Sequence, residues 1–289
     1  MRAPRGQLSI AQTVALLVLG LGLLYGGVLV GAAIRAAVHG VSLDEGVAQV
    51  TSEPFGPGLA QLIALGTVIL FGVRVAYGDR SLREALRIVP VRAPVALLAM
   101  IAGLSLHFPL VELMTVLSDM VPGLALDEEA VRRVEEMTRI DGPLRAITVP
   151  FTVIVVAAGT EELLFRGLLL PALTPRLGRI GALVLTSVLF GVFHVEPFAA
   201  TYAMIAGLVL GAIALRTGSV LPCIAFHGAF NALPILLPEE VIAVPGFNVA
   251  ESEAHLPPGL LVATTLAGVI ALVLLWRITS ADEPTPPQT

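Results

Sequence analysis

Lysine is missing from this chain: all 17 of its basic residues are arginine. Charge of either sign is scarce. Asp, Glu, Lys and Arg together make up 13% of the residues, where a soluble domain carries roughly a quarter. That shortage excludes an ordinary water-soluble globular domain. A single cysteine, Cys223, excludes an intramolecular disulfide. The net charge of −5 gives no support for nucleic-acid binding. No G-x-S-x-G elbow and no H-E-x-x-H pair occurs, which sets aside the serine-elbow hydrolases and the zincin-type metal site. No pair of repeated halves is found, and this weighs against a proton-coupled transporter.

What the chain has is apolar length. Hydrophobic residues reach 56% and the mean hydropathy is +0.90. They fall in blocks of about 20, enough to cross roughly 30 Å of hydrocarbon as a helix. The blocks predict an all-α, polytopic membrane bundle of about eight spans, at 8–34, 58–77, 93–117, 145–171, 180–197, 198–216, 219–237 and 257–278. Three units follow: residues 1–144 with three spans and a loop helix, 145–237 with the polar constellation, and 238–289 with a final span and a disordered tail. Arg2 and Arg5 resemble the start of a signal peptide, but the apolar run behind them is too long for one, so the first span is expected to be retained.

Arginine alone sets the orientation. Arg80, Arg83, Arg87, Arg92, Arg176, Arg179, Arg216 and Arg277 share one side with Arg2 and Arg5, while Asp44, Glu45, Glu53, Glu239, Glu240, Glu251 and Glu253 fall on the other. The positive-inside rule then places both termini in the cytoplasm, in a plasma (inner) membrane. The outer loop with Arg132, Arg133, Arg139 and Arg145 runs against the trend. From Asp127 to Arg139 that loop reads as a surface helix with acid-then-base pairs Glu128/Arg132, Glu129/Arg133 and Glu135/Arg139. Gly27/Gly31 and Gly207/Gly211 read as close helix packing.

Against this background, ionisable groups inside the spans stand out, because each is costly there unless paired. Glu161 and Glu162 lie in AAGTEELLFRGLLL, His194 ends FGVFH, and His227 and Asn231 bracket HGAFN. At 1.5 Å per residue, Glu161 lies about 16 Å, His194 about 21 Å, His227 about 12 Å and Asn231 about 18 Å from one face. Three antiparallel spans thus bring polar groups to a similar depth. Glu162 precedes Arg166 by four residues and pairs with it on one face. Glu161 points about 100° away and has Phe165 at i+4, so its partner must come from another span, and the histidines are the candidates. His227 and Asn231 are also i,i+4 and can act on one atom. A carboxylate, two imidazoles and a carboxamide suit hydrolysis: Glu161 as base, His194 holding the water, His227 and Asn231 donating to an oxyanion.

EELLFR, FGVFH and HGAFN, in this order, resemble the Glu-Glu-x-x-x-Arg, Phe-x-x-x-His and His-x-x-x-Asn motifs of the CAAX prenyl protease and bacteriocin-processing (Abi) family of intramembrane endopeptidases. The resemblance covers roughly residues 145–237. It implies catalytic roles for Glu161, His194, His227 and Asn231, with Glu162 and Arg166 supporting the site. It implies membrane lipid and a hydrophobic or lipidated peptide as partners. Glu161, His194 and His227 can bind one zinc ion with a position left open, or activate water with no metal, and the sequence leaves both open. The rival reading is a silent membrane binder, such as an immunity factor against a peptide toxin. Cys223 reads as packing, His107 and Glu112 as helix-buried polar groups on different faces, Glu196 as interfacial, and His39 and His255 as loop residues.

Overall fold

Ser9 and Gln12 open the first helix by capping each other: the Ser9 amide donates to Gln12 Oε1 at 2.8 Å and the Gln12 amide donates to Ser9 Oγ at 3.1 Å. The computed structural model describes residues 6–53, 55–125, 128–248 and 255–280. Arg2, Arg5, Asp127, Glu251, Glu253 and the tail beyond residue 280 lie outside the described residues, as do the side chains of Glu128 and Glu129. Helix α1 (Ile10–His39) ends at Gly40, which adopts the left-handed conformation at φ 69°. Ser42 and Glu45 cap α2 (Leu43–Ser52) reciprocally. Then come α3 (Phe55–Tyr77), the short α4 (Leu82–Ala85) and α5 (Ala93–Met120). A 3-10 turn, Pro122–Leu124, leads to α6 (Glu128–Thr138).

The next stretch is helical but not uniformly α. It runs as α7 (Arg145–Pro150), a π-helical turn (Phe151–Ala157), α8 (Ala158–Glu162), a second π-helical turn (Leu163–Leu169) and α9 (Leu170–Phe193). The first π turn has a local cause. Pro150 cannot donate to the ladder, and Thr152 to Val156 are all β-branched, which crowds a regular α turn. Inside α9, Gly178 at φ 70° breaks the helix, a conformation that only glycine adopts freely. Glu196 caps α10 (Pro197–Thr217), and α11 (Leu221–Leu236) and α12 (Pro258–Ser280) are the last helices among the described residues. No strand occurs among the described residues.

Among the described residues five helices are long and apolar enough to cross a membrane: Ile10–His39, Phe55–Tyr77, Ala93–Met120, Pro197–Thr217 and Pro258–Thr279. The other three expected spans are helical but fall short of that length. The stretch 145–171 is divided by π turns, 180–197 is the part of α9 after Gly178, and Leu221–Leu236 has 16 residues. Aliphatic side chains cover the outer surface, among them Val18, Val30 and Ile34 on α1 and Val262, Leu266 and Ile270 on α12, all exposed. Contiguous apolar exposure of this extent belongs in lipid, and the chain is an integral membrane protein.

Helix α1 packs on α2 and α3, α5 on α11 and α12, and α9 on α10, while the first π turn lies between α3 and α11. Leu65, Val68, Leu168, Phe190, Leu210 and Phe226 belong to one continuous buried core. Lipid removes most of the hydrophobic drive between helices, so small residues and polar links hold such a bundle together. The loop helix α6 forms where expected, and among its described side chains Arg132 pairs with Glu136 at 3.0 Å, in base-then-acid order. Arg145 ties that helix down by donating to the carbonyls of Ser52, Glu136, Met137 and Arg139. Glu112 is a clasp: it accepts from His255 Nδ1 at 2.7 Å and from the Leu256 amide at 2.9 Å, fixing the approach to α12. Glu196 accepts from the Phe198 and Ala199 amides as the α10 cap. Cys223 is buried against the Leu210 carbonyl.

Candidate active site

The two adjacent glutamates diverge as their helical spacing requires. Glu162 is fully buried and pairs with Arg166 Nη1 at 2.7 Å on its own helix. Arg166 is held from two further directions. Its Nη2 donates to the Gly207 carbonyl at 3.3 Å, and its guanidinium lies 4.2 Å from the Phe190 ring centroid. The ring face stabilises a desolvated cation, which gives the first residue of FGVFH a purpose. A Cβ at Gly207 would lie 3.2 Å from Arg166 Nη2 and 3.3 Å from Phe190, so the expected close packing of α10 occurs here, against the arginine.

Glu162 also reaches α11. His227 Nδ1 lies 2.9 Å from Glu162 Oε1, the atom that Arg166 contacts. An ionised carboxylate only accepts, so His227 Nδ1 carries the proton in this bond. Glu162 Oε2 is buried with no hydrogen-bond partner. The opposite ring nitrogen, Nε2, faces Glu161 Oε2 at 3.9 Å. That gap is too long for a direct hydrogen bond, and a water beside the pair can reach both atoms.

Glu161 finds its nearest partner on a helix that no motif marks. Gln61 Nε2, on α3, donates to Glu161 Oε1 at 2.9 Å and to Thr160 Oγ1 at 3.3 Å. The signal in the sequence was a lone carboxamide within an apolar span, the pattern that marks functional groups in membranes.

His194 ends α9, where its Nδ1 lies 2.8 Å from the Phe190 carbonyl. The carbonyl accepts, so Nδ1 is the donor and Nε2 of the neutral ring keeps a lone pair. Asn231 Nδ2 donates to the Val153 carbonyl in the first π turn at 3.1 Å, which leaves its second N–H available. His194, His227 and Asn231 line one cavity of about 90 Å³, closed by Phe190, Tyr202, Phe226, Phe230 and a wall of small residues on α10, Ala199, Ala203 and Ala206. His107 stays outside this cavity wall, bonded through Nδ1 to the Phe230 carbonyl at 3.1 Å and to Tyr202 Oη at 3.3 Å.

The six expected residues thus form two linked groups. Glu161, Glu162, Arg166 and His227 are joined through polar contacts, and His227 shares the cavity with His194 and Asn231. Among the described residues no three His, Cys, Asp or Glu side chains are close enough together to hold a metal ion, so Glu161, His194 and His227 do not form a ligand set in this arrangement.

Comparison with known proteins places the same stretch. Residues 143–233 match the family described as Type II CAAX prenyl endopeptidase Rce1-like. No curated protein and no solved structure matches the chain. The matched stretch contains all three motifs and all six of these residues, whereas Gln61 lies outside it. Residues 143–233, about a third of the chain, are thus similar to the Type II CAAX prenyl endopeptidase Rce1-like family, in line with the resemblance that the three motifs carry.

Proposed function

We propose that the chain is an intramembrane endopeptidase that hydrolyses a hydrophobic or lipidated peptide by a glutamate-activated water. The observation that carries this reading is the facing pair Glu161 Oε2 and His227 Nε2, 3.9 Å apart and partly shielded beside an apolar cavity. The family match supports the same activity.

In this reading Glu161 Oε2 takes a proton from the water, whose oxygen bonds to the scissile carbonyl carbon. His194 Nε2 accepts the second water hydrogen and holds it in line. The oxyanion accepts from the free N–H of Asn231 and from His227. With Nδ1–H committed to Glu162, His227 Nε2 donates only as the imidazolium, so the ring serves the oxyanion in that form. The C–N bond then breaks, and Glu161 returns its proton to the leaving nitrogen. Peptidomics of membranes from cells with the wild-type chain and with Glu161→Gln tests the reading. Peptides should accumulate or vanish in a Glu161-dependent manner, and identical peptide profiles would remove the proposal.

Asn231→Ala should lower kcat by about 10²–10³-fold with KM little changed, the loss that follows removal of one oxyanion donor. Asn231→Asp should be at least as poor, because a carboxylate cannot donate and repels the developing charge. A raised KM with kcat preserved would assign Asn231 to substrate binding.

The eight-span topology, with both termini in the cytoplasm of a plasma (inner) membrane, belongs to the same proposal. It rests on the arginine distribution, and the break at Gly178 inside α9 supports reading its two parts as separate spans. Reporter fusions after Arg87 and after Arg176 should read cytoplasmic, and one near Glu240 external. A cytoplasmic signal at Glu240 contradicts it.

A further inference from the structure

We infer that Gln61 is a positioning residue of the active site, holding the Glu161 carboxylate so that its Oε2 faces His227. This rests on the proposed hydrolytic role of Glu161. The Gln61 amide is itself fixed. Thr160 donates its hydroxyl proton to the Val156 carbonyl at 2.8 Å, so Thr160 Oγ1 is an acceptor toward Gln61. Glu161 Oε1, as a carboxylate oxygen, is an acceptor as well. Both neighbours therefore require N–H, and the carboxamide has one orientation: its NH2 turned to the site.

The backbone is shaped for this reach. Gly58 lies one turn before Gln61 on the same side of α3, and a Cβ there would sit 2.6 Å from Thr152 Cγ2. The missing side chain lets α3 lie directly against the first π turn, within range of a glutamine arm. The effect on Glu161 is specific. Its Oε1 is committed to α3, so Oε2 is the atom turned toward Nε2 of His227 at 3.9 Å. A base that must meet one water in one geometry loses rate when its carboxylate swings, and a displacement of about 1 Å can cost roughly 10²-fold. The site then extends beyond the family-matched residues 143–233 to a helix about 80 residues earlier in the chain.

Simple helix glue is the competing explanation, and kinetics on the full chain separate the two. Gln61→Met keeps the length of the side chain and removes the N–H. Gln61→Glu keeps the shape and replaces the donor with an acceptor. In proteoliposomes, with an internally quenched peptide that the wild type cleaves, Gln61→Met should lower kcat by about 10–100-fold with KM within about twofold. Gln61→Glu should fall further. Melting temperatures provide the second reading: Gln61→Met should lower Tm less in a Glu161→Leu background than in wild type, because the shared bond is already gone. Glue predicts a lowered Tm with kcat intact, and that result, or strictly additive Tm shifts, overturns the inference while leaving the hydrolytic reading in place. If Glu161→Gln itself cleaves the peptide, the hydrolytic reading fails first and this inference with it.

Discussion

Glu161→Gln should abolish turnover while the purified protein melts at the wild-type temperature. The substitution replaces one carboxylate oxygen with an amide nitrogen at unchanged volume. The oxygen that remains can still accept from Gln61 Nε2, now at 2.9 Å, so the contact between α3 and α8 survives. What is lost is the lone pair that takes a proton from water. General-base catalysis contributes about 10²–10⁴-fold, and activity should fall by that factor or more. Among the described residues Glu161 makes no ion pair with arginine, and His227 keeps the Glu162 carboxylate at 2.9 Å, so the change leaves no charge without a partner. Initial rates on the peptide used for Gln61, together with thermal unfolding of the same preparation, check both halves. Retained turnover would remove Glu161 from the chemistry. A large fall in Tm would mean that its charge holds the helices together.

The local parts of this site were legible in the sequence, and the parts that cross between helices were not. Glu162 and Arg166 are four residues apart on one helix, and their ion pair survives the π turn that begins at Leu163. The divergence of Glu161 from Glu162 follows from the angle between successive helical residues. Spacing within one helix does not say which helix stands opposite. The bond from His227 to Glu162 and the one from Gln61 to Glu161 therefore needed the fold, since their partners are 65 and 100 residues apart. Hydropathy read 145–171 as one span because apolar content is blind to ladder geometry. The first π turn comes from Pro150 and the β-branched run behind it, features that a composition window averages away. The same blindness hid the purpose of Phe190, which is apolar by composition and a cation-binding face by position.

Glu162→Ala should damage folding where Glu161→Gln does not. Arg166 has a side chain only 1% exposed, and among the described residues Glu162 is its one carboxylate partner. The Gly207 carbonyl and the Phe190 ring remain, but neither carries the opposing charge. Removing one member of a buried pair costs about 3–5 kcal/mol, because the other is left desolvated and uncompensated. The measured result should be a marked drop in Tm and in the amount of protein recovered from membranes. Replacing both members, as Glu162→Leu with Arg166→Met, should restore much of that stability, since a well-packed apolar pair often equals or exceeds a buried ion pair. Activity should not return with it. His227 Nδ1 loses its acceptor at 2.9 Å, the ring is no longer fixed, and Nε2 no longer faces Glu161 in a set direction. The double variant thus separates two duties of Glu162, neutralising Arg166 and orienting His227. A Glu162→Ala protein that melts like wild type would deny the first duty. A double variant with full kcat would deny the second, and His227 would then need another group to set its ring.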